Sequence, residues 1–194
     1  MKLEDDINET ITRVCDEFAR AIEKYDNISG GLPPPEYFLP SHVLLGLGDV
    51  LTMTVETNYG TLWRWNEEKH GKNDQRPQDF PSGRRVDLVI FKGDHTKKDE
   101  MEFLCLVECK LGWVSQRDIT KLTELLRHID TCRYGAICTA LETPQKDGWL
   151  LQCKNAAQGA GRTHVVGRIA HPLYGQPQDW QTYAEILVNP QYQP

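Results

Sequence analysis

Apolar positions at Ile7, Ile11, Val14, Cys15, Phe18, Ala21, Ile22 and Tyr25 lie three or four residues apart, the spacing that stacks side chains on one face of an α-helix. The pattern predicts an amphipathic helix over residues 6–26, opened by Asp6, whose carboxylate suits the free N–H groups of a first turn. The run Ser29-Gly-Gly-Leu-Pro-Pro-Pro35 breaks it. Helical spacing returns after Pro40 and Ser41 in Val43, Leu44, Leu47, Val50 and Leu51, and predicts a short second helix. Residues 52–57 then alternate, with Met53 and Val55 turned inward and Thr54 and Glu56 outward, as a half-buried strand does.

From Asn58 to Gly83 the periodicity disappears, which predicts a long loop. Residues 85–91 (RVDLVIF) and 103–110 (FLCLVECK) are rich in β-branched and apolar side chains and read as a hairpin around a charged tip. Ile119, Leu122, Leu125, Leu126 and Ile129 predict a helix over 115–130, and residues 134–140 (YGAICTA) a buried strand. Further on, the pattern predicts a helix over 144–158, a strand over 163–170 and a last helix over 178–188, the last from Trp180, Tyr183, Ala184 and Leu187. The central order is helix, three strands, helix, strand.

A chain of 194 residues suits one domain, here an N-terminal helix at 6–26, a core at about 36–141 and a C-terminal extension at 142–194. The net charge of -6 argues against a uniformly positive surface that coats nucleic acid, but it permits a carboxylate cluster beside a local basic stripe. The six cysteines form no C-x-x-C pair and follow no secretory segment, so reduced thiols in a cytoplasmic protein are expected, with ordinary core burial for Cys105 and Cys109. No apolar run approaches the ~20 residues of a membrane span, so no membrane partner is expected. In the aperiodic stretch, Trp63, Trp65, Arg64, Lys69, His70, Lys72 and Arg76 suit base stacking and phosphate contact; a solvated insertion with two tryptophans folded onto the core explains them equally well.

The chemistry concentrates at the end of the hairpin. An apolar strand that finishes with Glu108 and Lys110 carries both charges on one face, because strand side chains repeat every two residues. A buried carboxylate is costly, so Glu108 calls for a cation or an open sheet edge. In a symmetric hairpin with Ile90 opposite Leu106, Asp87 falls opposite Cys109, with Glu108 and Lys110 as diagonal neighbours. The placement depends on register, since a slip of one residue turns a side chain to the other face. Two carboxylates held close favour Mg²⁺ or Mn²⁺ and suit phosphodiester hydrolysis, with Lys110 orienting the attacking water or steadying charge on the phosphate.

The pair Val86-Asp87 followed by Glu108-Cys109-Lys110 resembles motifs II and III of the PD-(D/E)xK, or restriction-endonuclease-like, nuclease superfamily. The resemblance spans residues 36–141 and implies an α/β fold with an αβββαβ core, a mixed central sheet flanked by helices, here with an extra N-terminal helix. It implies catalytic roles for Asp87, Glu108 and Lys110 and metal ligation by Asp87 and Glu108. Val86 departs from the commonest Pro of motif II without removing a ligand.

The family often adds an acidic residue from the first strand or first core helix, which makes Glu56 the first candidate for a further metal ligand and Glu36 the second. His42 resembles the helix His that some Mn²⁺-preferring viral endonucleases of the superfamily use; an ordinary helix-start His with an exposed ring is the competing reading. Arg84, Arg85 and Lys121 are candidates for nucleic-acid binding, against solvated surface charge. The expected function is a divalent-metal-dependent nuclease acting on DNA, as a homodimer where both strands are cut. The alternative is a catalytically inactive member of the fold serving as a nucleic-acid- or protein-binding module.

Overall fold

A computed structural model describes residues 6–29, 38–72, 75–78, 80, 83–93, 102–112, 114–142, 162–166, 180–189 and 191–192. Helix α1 spans Ile7–Ser29, α2 Phe38–Leu47, α3 Tyr59–Lys69 and α4 Gln116–His128. The strands are β1 Thr52–Asn58, β2 Arg85–Lys92, β3 Glu102–Leu111, β4 Tyr134–Glu142, β5 Arg162–Val166 and β6 Trp180–Val188. They form one mixed sheet in the order β1-β2-β3-β4-β6-β5. Among the described strands only β3 and β4 run parallel; α4 makes the crossover between them, as a parallel pair requires.

The sheet separates two apolar layers. On one face, Ile11, Val14, Phe18 and Ile22 of α1 and Leu39, Val43 and Leu47 of α2 pack with Leu88, Ile90, Cys105, Val107 and Cys138. On the other, Leu62 of α3 and Ile119, Leu122, Leu125 and Leu126 of α4 pack with Val89, Leu106, Ile137 and Tyr183. Burying each of these aliphatic or aromatic side chains contributes about 1.5–3 kcal/mol. The central strands β3 and β4 therefore sit between helices on both sides, which accounts for their unbroken apolar runs.

Cys15, Cys105, Cys109, Cys132 and Cys138 are buried free thiols, the Sγ atoms of Cys15 and Cys138 standing 3.9 Å apart. Among the described residues no helix is long and apolar enough to cross a membrane.

Three expectations are corrected. From Trp180 onward the stretch expected as a helix over 178–188 is strand β6, paired with β4 from Tyr134↔Val188 to Glu142↔Trp180. Residues 182–187 are all buried, with Tyr183 and Leu187 on one face and Ala184 and Ile186 on the other, so apolar spacing there carried no helical information. The segment opening the aperiodic stretch is α3, whose N-cap is Asn58, the side chain accepting from Gly60 N–H at 2.8 Å. Its buried positions Tyr59, Leu62 and Asn66 do follow helical spacing; the polar Asn66, holding Thr131 through its Oδ1, hid the pattern.

The hairpin register also differs from the symmetric one. Leu88 pairs with Val107, Val89 with Leu106 and Ile90 with Cys105, and a bulge between Ile90 and Phe91 shifts the ladder towards the tip. The strand expected at 163–170 is met by β5 over 163–166, and residues 167–170 lie outside the described residues. The helix expected at 144–158 lies outside the described residues.

Candidate active site

The corrected register assembles the site. Opposed residues of an antiparallel ladder share a face, so the symmetric pairing would have aligned Asp87 with Cys109, which is buried on the α1 side. The observed ladder, continued one step beyond Leu88↔Val107, brings Asp87 to Glu108. There the backbone pairing stops and the Asp87 side chain takes over: the Cys109 N–H donates to Asp87 Oδ2 at 2.6 Å. β3 ends at Leu111, one residue beyond Lys110, and Gly112 at φ 87° then turns the chain; such a conformation favours glycine. The Gly112 N–H donates to Ala140 O at 3.0 Å, and its carbonyl accepts from Thr139 Oγ1 at 2.5 Å, which fixes the exit of β3 against β4.

Glu108 is the deepest of these groups, 1% exposed. Its carboxylate accepts from Lys121 Nζ of α4 at 2.9 Å. The Ser115–Asp118 capping box that starts α4 sets the helix in this position: Ser115 Oγ accepts from the Asp118 N–H, and the Asp118 carboxylate accepts from the Ser115 N–H. Lys121 also donates to Arg85 O at 3.3 Å and stands 5.5 Å from the centre of the Tyr59 ring. The Tyr59 hydroxyl is buried without a hydrogen-bond partner of normal geometry, although it lies near enough to Glu108 to feel its charge.

The electrostatics follow from this crowding. Burial, and next the negative charge of Asp87, push the Glu108 carboxyl up to about 7, while Lys121 and Lys110 oppose the rise. Burial also raises Asp87, against the pull of the Cys109 N–H and of Lys110; the charge of Glu56 adds to the rise. Burial and then Glu108 hold the Tyr59 phenol protonated. Lys110, half-buried, thus acts on both carboxylates.

Glu56 sits at the margin of this group, its charge acting on Asp87 and its Oε2 3.8 Å from Arg85 Nη1. Its backbone adopts φ 51°, the only described non-glycine residue at positive φ, a conformation that costs on the order of 1–2 kcal/mol in an L-residue. β1 pairs regularly with β2 on either side of it, from Val55↔Leu88 to Thr57↔Val86.

Asp87, Glu108, Lys110, Glu56 and Lys121 are therefore brought together. Arg85 is exposed beside Glu56, at the edge of this group, and the charge of the preceding residue, Arg84, acts on Tyr59. Lys121, expected on a solvated or phosphate-facing surface, has only 16% of its side chain exposed and is bound to Glu108. His42 is not drawn in: the charges acting on it are Lys24 and Glu17 of α1, and burial lowers its pKa first. Glu36 lies outside the described residues. Trp63 packs edgewise on Phe80, and Trp65 packs edgewise on Phe91 and at a tilt on Phe103, which favours core packing over base stacking for these rings. The residue that sequence reasoning missed is Tyr59; its signal was Asn58 as a cap followed by the spacing of Tyr59, Leu62, Trp63 and Asn66.

Among the described residues no three His, Cys, Asp or Glu side chains stand together as a ready metal cage. The donor set nevertheless fits Mg²⁺ or Mn²⁺, which take one or two carboxylates and complete their shells with water and substrate phosphate. Asp87 Oδ2 and Glu108 Oε1 are engaged by Cys109 and Lys121, which leaves one oxygen of each carboxylate outside these bonds, and a cation, the Lys121 ammonium, already stands against Glu108. Comparison with protein-family models, with curated proteins and with solved structures found no match.

Proposed function

We propose that this protein is a divalent-metal-dependent nuclease of the PD-(D/E)xK type, hydrolysing phosphodiester bonds, with DNA as substrate. The observation that carries the reading is the Asp87–Glu108 pair: two carboxylates from adjacent strands, close enough that one raises the other, bracketed by Lys110 and Lys121. Such a pair is stabilised by a hard cation, and perturbed carboxylates flanked by lysines at a sheet end suit catalysis better than they suit stability.

Bound there, Mg²⁺ or Mn²⁺ would polarise the phosphoryl group and acidify a water. Asp87 and Glu108 would hold the ion, with Glu56 as a more distant carboxylate on the Asp87 side. Lys110, on the same strand face as Glu108, would stabilise negative charge developing on the phosphate. Arg85 at the exposed rim, with Arg84, would meet the flanking backbone. Cytoplasmic location and a homodimer that cuts both strands of a duplex belong to the same proposal.

A second reading, a non-catalytic nucleic-acid- or protein-binding module, draws on the Lys121–Glu108 ion pair, which neutralises the carboxylate without any metal. Incubation of plasmid and single-stranded DNA with Mg²⁺, Mn²⁺ or chelator separates the two. Nuclease activity is expected to require metal and to fall by about 10²-fold or more in Asp87→Ala and Lys110→Ala. Cleavage that survives both substitutions overturns the proposal, and protein that binds DNA without cutting it under any of these conditions supports the module.

A further inference from the structure

We infer that Lys121 is an internal stand-in for the divalent cation, and that metal binding displaces its ammonium from Glu108 and releases it towards the substrate phosphate. The inference rests on the metal-site reading of Asp87 and Glu108 and adds a regulatory element to it.

Three observations carry it. First, Lys121 comes from α4 on the second layer of the sheet, not from the strand that bears the Glu108/Lys110 pair, yet its Nζ is 2.9 Å from the oxygen of a carboxylate that is itself 1% exposed. The ammonium thus occupies a position from which a cation would approach Glu108. Second, the ammonium has a second seat. It also donates to Arg85 O at 3.3 Å and stands over the Tyr59 ring, so on leaving Glu108 it keeps a hydrogen-bond acceptor and an aromatic face. An ammonium with one acceptor only would be stranded in a desolvated position and could not be displaced without a large penalty.

Third, the carbonyl that forms this second seat belongs to Arg85, whose exposed side chain lies at the rim where a phosphate backbone would run. An ammonium retained there would stay beside the residue that carries this exposed side chain. One lysine would therefore neutralise Glu108 in the resting protein and meet phosphate in the loaded one. Metal and phosphate then cooperate, because the cation that occupies Glu108 also makes the ammonium available, whereas neither alone gains the full set of contacts.

The test is a Mn²⁺ titration by calorimetry in mildly alkaline, chelator-treated buffer, on the full chain and on Lys121→Met and Lys121→Arg. Lys121→Met keeps most of the stem and removes the competing charge, so Mn²⁺ is expected to bind about tenfold more tightly or better, whereas Lys121→Arg stays near the parent. Thermal melts supply a second readout: the Mn²⁺-induced rise in Tm should be larger in Lys121→Met than in the parent, and that difference remains measurable if the variant is poorly folded without metal.

Tight binding by Lys121→Met with weak or absent binding by the parent supports the inference. Equal or weaker Mn²⁺ affinity in Lys121→Met, with a parent that binds, overturns it and leaves the metal-site reading standing. Failure of the parent and both variants to bind Mn²⁺ overturns the metal-site reading itself, and the inference with it.

Discussion

A carboxyl that ionises at 4.5 in its ordinary setting and at about 7 in the folded protein makes folding itself depend on pH. Between those values folded Glu108 keeps a proton that the unfolded chain has lost, so the folded state binds more protons. Stability must then fall as pH rises. The contribution is fully present below about 4.5 and lost once pH passes about 7, and over that window it amounts to about 3 kcal/mol. Asp87, also raised, contributes with the same sign.

Urea unfolding in the presence of chelator should therefore show the protein losing stability from acidic to neutral pH. In Glu108→Gln the profile should be distinctly flatter, because the amide has no proton to exchange. Parallel profiles for the parent and the variant would remove Glu108 from its buried position beside Asp87. The chemistry at this scale was readable in advance: a Glu and a Lys two residues apart at the end of an apolar strand already demanded a partner charge. Lys121 was a candidate for phosphate contact, against solvated helix surface, but its pairing with Glu108 was not readable until α4 is laid on the sheet.

Elements whose apolar pattern reflects one buried face were the legible ones. α1 and α4 expose one side and bury the other, so their period appears in the sequence, and β2 and β3 stood out by their apolar runs. β6 was misread because Tyr183, Ala184 and Leu187, buried on its two faces, also fall at helical spacing, and α3 because a buried asparagine replaced an apolar residue at one of its inward positions. The register of the β2–β3 hairpin was not legible, since the bulge at Ile90/Phe91 sets it and the sequence carries no glycine or proline there to announce one.

How closely α4 rests on the sheet can be tested at Gly135 of β4. A Cβ at that position would come within 2.6 Å of Leu126 Cδ1 and 3.2 Å of Leu122 Cδ2, both on buried leucines of α4. Gly135→Ala should cost about 1 kcal/mol, and Gly135→Val up to about 3 kcal/mol, as overpacking in a filled core does. Because Lys121 directly precedes Leu122 on the helix, the valine variant should also lose the proposed cleavage activity in step with the displacement of α4. Equal urea midpoints for Gly135→Val and the parent would mean that α4 does not lie against β4 as described.

At the scale of the whole molecule, the proposed function would have a chain of net charge -6 meet a polyanion, at a site that adds two carboxylates where phosphate would arrive. Without divalent metal the general and the local fields both oppose association, and Lys110, Lys121, Arg84 and Arg85 must offset them. A cation at Asp87 and Glu108 reverses the local sign. Nucleic-acid affinity is therefore expected to depend on metal more steeply than on the surface charge as a whole.

Fluorescence anisotropy with a labelled duplex should accordingly show binding about tenfold or more tighter in Ca²⁺, which occupies carboxylate sites and here serves as a probe of binding alone, than in chelator. In Asp87→Asn the same neutralisation is built into the chain: its affinity in chelator should exceed that of the parent, and its response to Ca²⁺ should shrink. If Ca²⁺ leaves the affinity of both proteins unchanged, phosphate does not approach these carboxylates, and the nucleic acid, if bound at all, meets another surface. The Asn variant is the decisive arm, because a purely structural role for Asp87 would weaken binding with and without Ca²⁺ alike, whereas charge repulsion at the site predicts opposite changes in the two buffers.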